Sequence, residues 1–142
     1  MRLDLEETEQ TPTNLIPGFR ERIEALIPSL ITHRCSEGCV GGFFMRVERG
    51  TWMGHVIEHI ALEIQTLAGM DTGFGRTRET KTPGVYNVVF SYIEENVGIY
   101  AAESAVRIAE ALIAGTEYDI DADVQEMRKI RERDRLGPST GS

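Results

Sequence analysis

Val85-Tyr86-Asn87-Val88-Val89-Phe90-Ser91-Tyr92-Ile93 carries β-branched or aromatic side chains at seven of its nine positions. Such residues pack well on a pleated surface and lose rotamer freedom in a helix, so the stretch predicts a strand. Upstream, Gly73 to Thr80 reads as a second strand, and Lys81, Thr82, Pro83 and Gly84 between the two supply the residues of a turn. Together they predict an antiparallel hairpin. A lone hairpin is marginal in water, so this one needs helices packed against it.

The flanking sequence offers several. Trp52 to Leu67 places Val56, Ile60, Leu62, Ile64 and Leu67 over much of a helix, with Thr51 as expected N-cap and Gly69 closing it. Residues 98 to 114 put Ala101, Ala105, Ile108, Ala109, Leu112 and Ile113 on one side of another. From Pro17 to Ile31, Phe19, Ile23, Leu26 and Ile27 recur at helical spacing, with prolines at a plausible start and near the end. A short helix is expected around Phe43 to Glu48, stopped by Gly50, and a charged one from Asp119 to Arg135. Met1 to Leu5 alternates like a strand stub before a polar loop from Glu6 to Asn14. The expected fold is α+β: a single domain over residues 1–135, a small antiparallel sheet packed against several helices, and a linker over 136–142. Its core should include Phe19, Ile23, Leu62, Val88, Phe90, Ala105 and Leu112.

At 142 residues, 41% of them hydrophobic, the chain has material for one core, so a single folded domain is expected in it rather than several domains or a wholly disordered chain. Its 23 acidic and 15 basic side chains leave a net charge of −8, so nucleic acid is a poor partner and a cationic ligand a better one. Two cysteines are too few for a disulfide-stapled module, no secretory leader is visible, and no apolar run reaches membrane-spanning length. A cytoplasmic protein with no membrane partner is expected.

His55-Val56-Ile57-Glu58-His59 is the sharpest chemical feature. Histidines four residues apart on a helix share a face and can hold one metal ion. The order H-x-x-E-H reverses H-E-x-x-H, with Glu58 placed to take a proton from a zinc-bound water whose pKa falls to about 7. A zinc-dependent hydrolase is one expectation, and a polar helix face with ordinary hydrogen bonds is the other. For a third metal ligand, Glu103 comes first because its alanine-rich surroundings suggest partial burial, and Glu63, one turn beyond His59, comes second. A salt bridge from Glu103 to Arg107 is the competing reading. His33, Cys35 and Cys39 match no common zinc module, and half-buried thiols are expected there. Gly73 to Thr80 lacks the pattern of a phosphate loop, so no ATP site is expected. Arg76 and Arg78 would project together from one strand face, suited to a carboxylate-bearing ligand or else paired with local glutamates.

Longer blocks carry a resemblance: Leu3-Asp4-Leu5-Glu6-Glu7, Ile16-Pro17-Gly18-Phe19, His33-Arg34-Cys35-Ser36, Gly41-Gly42-Phe43, Gly50 to His59, Phe74 to Thr80, Pro83-Gly84-Val85-Tyr86 and Leu136-Gly137-Pro138-Ser139-Thr140. From about residue 2 to residue 140 the chain resembles the N-terminal domain of the cyanophycin synthetase family. That family joins aspartate and arginine into cyanophycin, a poly-aspartate backbone bearing arginine on each side chain, using ATP-grasp and Mur-ligase-like domains. The resemblance implies a first domain that leads through its last block toward an ATP-grasp domain and does not itself activate a carboxylate. It also implies a domain that holds the polymer and, in many members, clips it into primers as a metallopeptidase. His55 and His59 would then be metal ligands and Glu58 the base. Arg76 and Arg78 are further candidates for the polymer's carboxylates. The noncatalytic alternative is a module that anchors polymer for the synthetase.

Overall fold

The computed structural model describes residues 2–4, 11–33, 38–82 and 84–136. Among them run β1 (Arg2–Asp4), α1 (Phe19–Leu26), α2 (Gly42–Arg49), α3 (Met53–Leu67), β2 (Gly75–Glu79), β3 (Val85–Phe90), α4 (Glu95–Ala114) and α5 (Ile120–Leu136). The architecture is α+β, as expected. β2 and β3 form the antiparallel hairpin, with Thr77 opposite Val88. β1 pairs antiparallel with the far side of β3, Leu3 opposite Tyr86, so the sheet order is β1-β3-β2. The stub is therefore a strand of the sheet, and β3 is the central one.

α3 is the hub. It lies between the hairpin and α4, and Met53, Val56, Ile57, Ile60, Ala61 and Ile64 are all essentially inaccessible. Full burial of a Val or Ile side chain contributes about 1.5–3 kcal/mol, so this one helix carries much of the core. Phe19, Ile23, Leu62, Val88, Ala105 and Leu112 are buried as expected, whereas Phe90 is only partly so. It sits at the end of β3, where the core thins.

Helix ends differ from expectation in instructive ways. α1 stops at Leu26, and Pro28 to Thr32 form a separate 3-10 turn. Pro28 has no N–H to continue the helix and disfavours helical geometry at Ile27, which adopts φ −131°, ψ 70°. Thr51 does not cap α3: Trp52 holds the N-cap position without a side-chain bond. The Thr51 hydroxyl lies instead 3.0 Å from His55 Nδ1, while its N–H donates to Thr13 Oγ1. α4 begins three residues earlier than expected and ends at Gly115, whose φ of 74° suits a residue without Cβ. There the Arg22 guanidinium donates to the Leu112 carbonyl at 2.6 and 2.8 Å, tying α1 to the end of α4. α5 extends to Leu136, one residue into the expected linker, and residues 137–142 lie outside the described set. Asp123, buried on α5, accepts from the hydroxyls of Tyr100 and Tyr118 and so fastens α5 to α4. Among the described residues no helix is long and apolar enough to cross a membrane.

Candidate functional site

His55, Glu58 and His59 lie together because positions 55, 58 and 59 share one flank of α3; Glu58 and His59 are buried and His55 is half-buried. His55 Nε2 and His59 Nε2 approach to 3.0 Å, and Glu58 Oε2 stands 3.8 Å from His59 Nε2. They line a cleft of about 650 Å³ together with His33, Glu63, Thr72 and Gly75. The three side chains expected to act together are thus assembled.

Each is held from behind. Phe43 stacks on the His59 ring at 4.3 Å between centroids. His33 Nδ1 lies 2.8 Å from His59 Nδ1, and His33 Nε2 lies 2.8 Å from Glu63 Oε1. For neutral rings this chain has one direction. The Glu63 carboxylate accepts from His33 Nε2, His33 Nδ1 accepts from His59 Nδ1, and the lone pair of His59 is left on Nε2. Glu58 Oε1 accepts from the Thr77 hydroxyl at 2.7 Å. Gly75 makes room for that carboxylate, since a Cβ there would meet Glu58 Oε2 at 2.8 Å and Cγ at 2.7 Å.

Burial sets the protonation. It pushes His55 down to about 4, helped by the Arg46 charge, and His59 down to about 2, helped by the neighbouring imidazoles. Both rings are neutral at physiological pH and keep lone pairs for a metal or a proton. Burial raises Glu58 above the usual carboxylate range, with the Thr77 bond opposing. A buried carboxyl with a raised pKa is suited to proton transfer.

The donor chemistry suits zinc at two positions. Tetrahedral zinc at about 2.0–2.1 Å from each nitrogen sets its ligands about 3.3 Å apart, close to the spacing of the two Nε2 atoms. The second nitrogen of each ring is already hydrogen-bonded, as metal-ligating histidines require. Among the described residues, however, no three His, Cys, Asp or Glu side chains are arranged around one point.

Glu103 is not in this cleft. It is exposed on α4 and lines a separate groove with Val88, Phe90, Tyr92 and Ile99. The helix buries Ala101, Ala105 and Ile108, and the phase of the turn carries position 103 outward, although Ala101, Ala102 and Ala105 are its neighbours in sequence. Arg107 pairs with Asp123 at 3.6 Å and with the Ser104 hydroxyl, and among the described residues no ion pair joins it to Glu103, the competing reading. Glu63 is in the cleft but engages His33. Arg76 and Arg78 project from the outer face of β2, opposite Thr77, and among the described residues neither has an ion-pair partner. Cys39 is exposed rather than half-buried, and Cys35 lies outside the described residues.

His33, Thr51, Gly75 and Thr77 are site residues that motif spacing missed. Periodicity carries no trace of them. Scarcity does for one: the chain has only three histidines, and all three meet here.

A helix-on-sheet domain with a histidine–glutamate cleft is the class these features define. Residues 1–114 match the model of the cyanophycin synthase-like N-terminal domain, and the chain belongs to that family. It is 52% identical to the cyanophycin synthetase of Geminocystis herdmanii, 50% to that of Synechocystis sp. and 51% to that of Trichormus variabilis, in each case over 99% of this chain. The chain spans 16% of the length of each of these relatives.

Proposed function

We propose that this domain binds a cyanophycin-like aspartate–arginine polymer and cuts it hydrolytically at a zinc site held by His55 and His59, with Glu58 as the base, to make primers for the synthetase. The observation that carries the reading is the convergence of two neutral Nε2 atoms beside a carboxylate of raised pKa, at the wall of a cleft. Zinc, when bound, supplies Lewis acidity that lets water deprotonate near neutral pH. Glu58 takes the proton of the attacking water and passes it to the leaving amine as the C–N bond breaks and a C–O bond forms. Thr77 keeps one Glu58 oxygen engaged, so the other faces the cleft. The His33–Glu63 pair holds the proton of His59 on Nδ1 and its lone pair toward the metal position. The net charge of −8 draws in the polymer's guanidinium groups, and the outward Arg76 and Arg78 meet carboxylates. ATP-grasp and Mur-ligase-like domains of a longer chain would use the shortened polymer.

A second reading keeps the polymer and drops the chemistry. The hydrogen bonds among the three imidazoles satisfy them without any metal, as in a noncatalytic anchoring module. Metal content and polymer-shortening rate, measured on the same preparations, separate the two. Glu58→Gln should retain zinc and lose roughly 10²-fold or more in turnover, whereas His59→Ala should lose both together. Less than about a tenth of an equivalent of zinc after reconstitution would leave the anchoring module standing.

A further inference from the structure

We propose that the free edge of β2 is a docking strand: an extended peptide main chain pairs with Gly75, Thr77 and Glu79 and crosses the Glu58 carboxylate as it does so. The inference rests on the hydrolytic reading above and says which bond of the polymer reaches the site.

The hydrogen-bond register singles out those three residues. Thr80 N–H donates to the Val85 carbonyl at 3.1 Å, and Ser91 N–H donates to the Phe74 carbonyl at 2.7 Å. Bonded pairs alternate along an antiparallel ladder, so Arg76 and Arg78 also turn their main-chain groups toward β3. Gly75, Thr77 and Glu79 turn theirs the other way. β2 is an edge strand, and among the described residues no strand meets that side.

This open edge runs through the chemistry. Gly75 lines the larger cleft with Glu58 and His59. Thr77 and Glu79 line a second cavity of about 270 Å³ with His55, Arg46, Trp52 and Tyr86. The two cavities share His55, and β2 is the rail that joins them. Unpaired edge groups recruit extended chains, with main-chain bonds giving affinity and alternate side chains giving selectivity. A strand added here would point one set of side chains inward beside Glu79, suited to guanidinium groups. The other set would lie outward beside Arg76 and Arg78, suited to carboxylates. An amide in the docked main chain then passes Glu58, so the bond cut belongs to the polymer backbone, and each aspartate keeps its arginine.

The test is amide hydrogen exchange on the full 142-residue chain carrying Glu58→Gln, with and without a short soluble oligo-aspartate bearing arginine on every side chain. The oligomer should slow exchange at the Gly75, Thr77 and Glu79 amides roughly tenfold or more and leave Arg76 and Arg78, already bonded to β3, unchanged. Binding without that protection overturns the proposal, and so does the absence of binding. Protection that follows protein concentration alone also overturns it, because the edge would then pair with a second copy. Glu79→Pro removes one outward N–H, and Glu79→Ala removes only the carboxylate. The proline variant should bind the oligomer about fivefold more weakly than the alanine one. Edge protection without zinc or cleavage would retire the hydrolase and keep the docking strand; cleavage without edge protection would do the reverse.

Discussion

Glycine at position 75 is what allows the Glu58 carboxylate to lie against β2, because any Cβ would fall within 2.9 Å of three of its atoms. Gly75→Ala should therefore displace the proposed base, cutting the polymer-shortening rate by roughly tenfold or more while lowering stability by about 1–3 kcal/mol. Parallel rate and urea measurements would reveal it, and equal rates would mean that Glu58 is free to move. The imidazoles carry a pH signature as well. His55 and His59 titrate at about 4 and about 2 when folded, against 6.5 otherwise. Below pH 6.5 the unfolded chain binds protons that the folded one refuses, so stability falls on acidification by up to about 1.4 kcal/mol per pH unit for each ring. Glu58 works in the opposite sense, since its raised pKa favours the folded state as pH drops, and it returns part of the loss. The urea midpoint of metal-free protein should drop between about pH 7 and about pH 5. A flat profile would mean that the rings are solvated. At this scale the triad was legible because one helical turn fixes which residues share a face. Its supports were not, because Gly75, Thr77 and His33 arrive from other elements and leave no mark on local spacing.

Elements were legible wherever composition and period agree. The β-branched run made β3 unmistakable, and the apolar density of residues 52–67 made α3 legible as a helix. Boundaries were harder. Pro28 was recognised as an ending, yet its restriction on Ile27 moved the end of α1 back to Leu26. Thr51 has the right chemistry for a cap, but its hydroxyl lies against His55. α3 also lies close to the sheet at Gly54, where a Cβ would approach Thr77 Cγ2 to 3.1 Å and Tyr86 Cγ to 3.2 Å. Alanine ordinarily favours a helix by about 1 kcal/mol over glycine. Here the crowding should win: Gly54→Ala should lower the thermal midpoint, because Tyr86 is buried and Thr77 is bonded to Glu58. A raised midpoint would mean that β2 can retreat from α3.

On the scale of the whole molecule, net charge sets how a cationic polymer is met. Attraction from a charge of −8 decays over about 8 Å at physiological ionic strength, so polymer affinity should fall steadily as salt rises. A titration insensitive to salt would transfer the binding to apolar contacts such as exposed Trp52 or Phe74. Architecture at this scale followed from the hairpin and its helices, whereas the misplacement of Glu103 came from weighing its alanine neighbours in sequence above the helical phase, which places position 103 away from Ala101, Ala105 and Ile108. The gathering of every histidine into one cleft has a spectroscopic consequence. In a chain isotopically labelled at histidine alone, no imidazole resonance arises from elsewhere in the fold. Ring nitrogen shifts would then read tautomer, protonation and metal occupancy at this cleft directly, free of background from any other histidine.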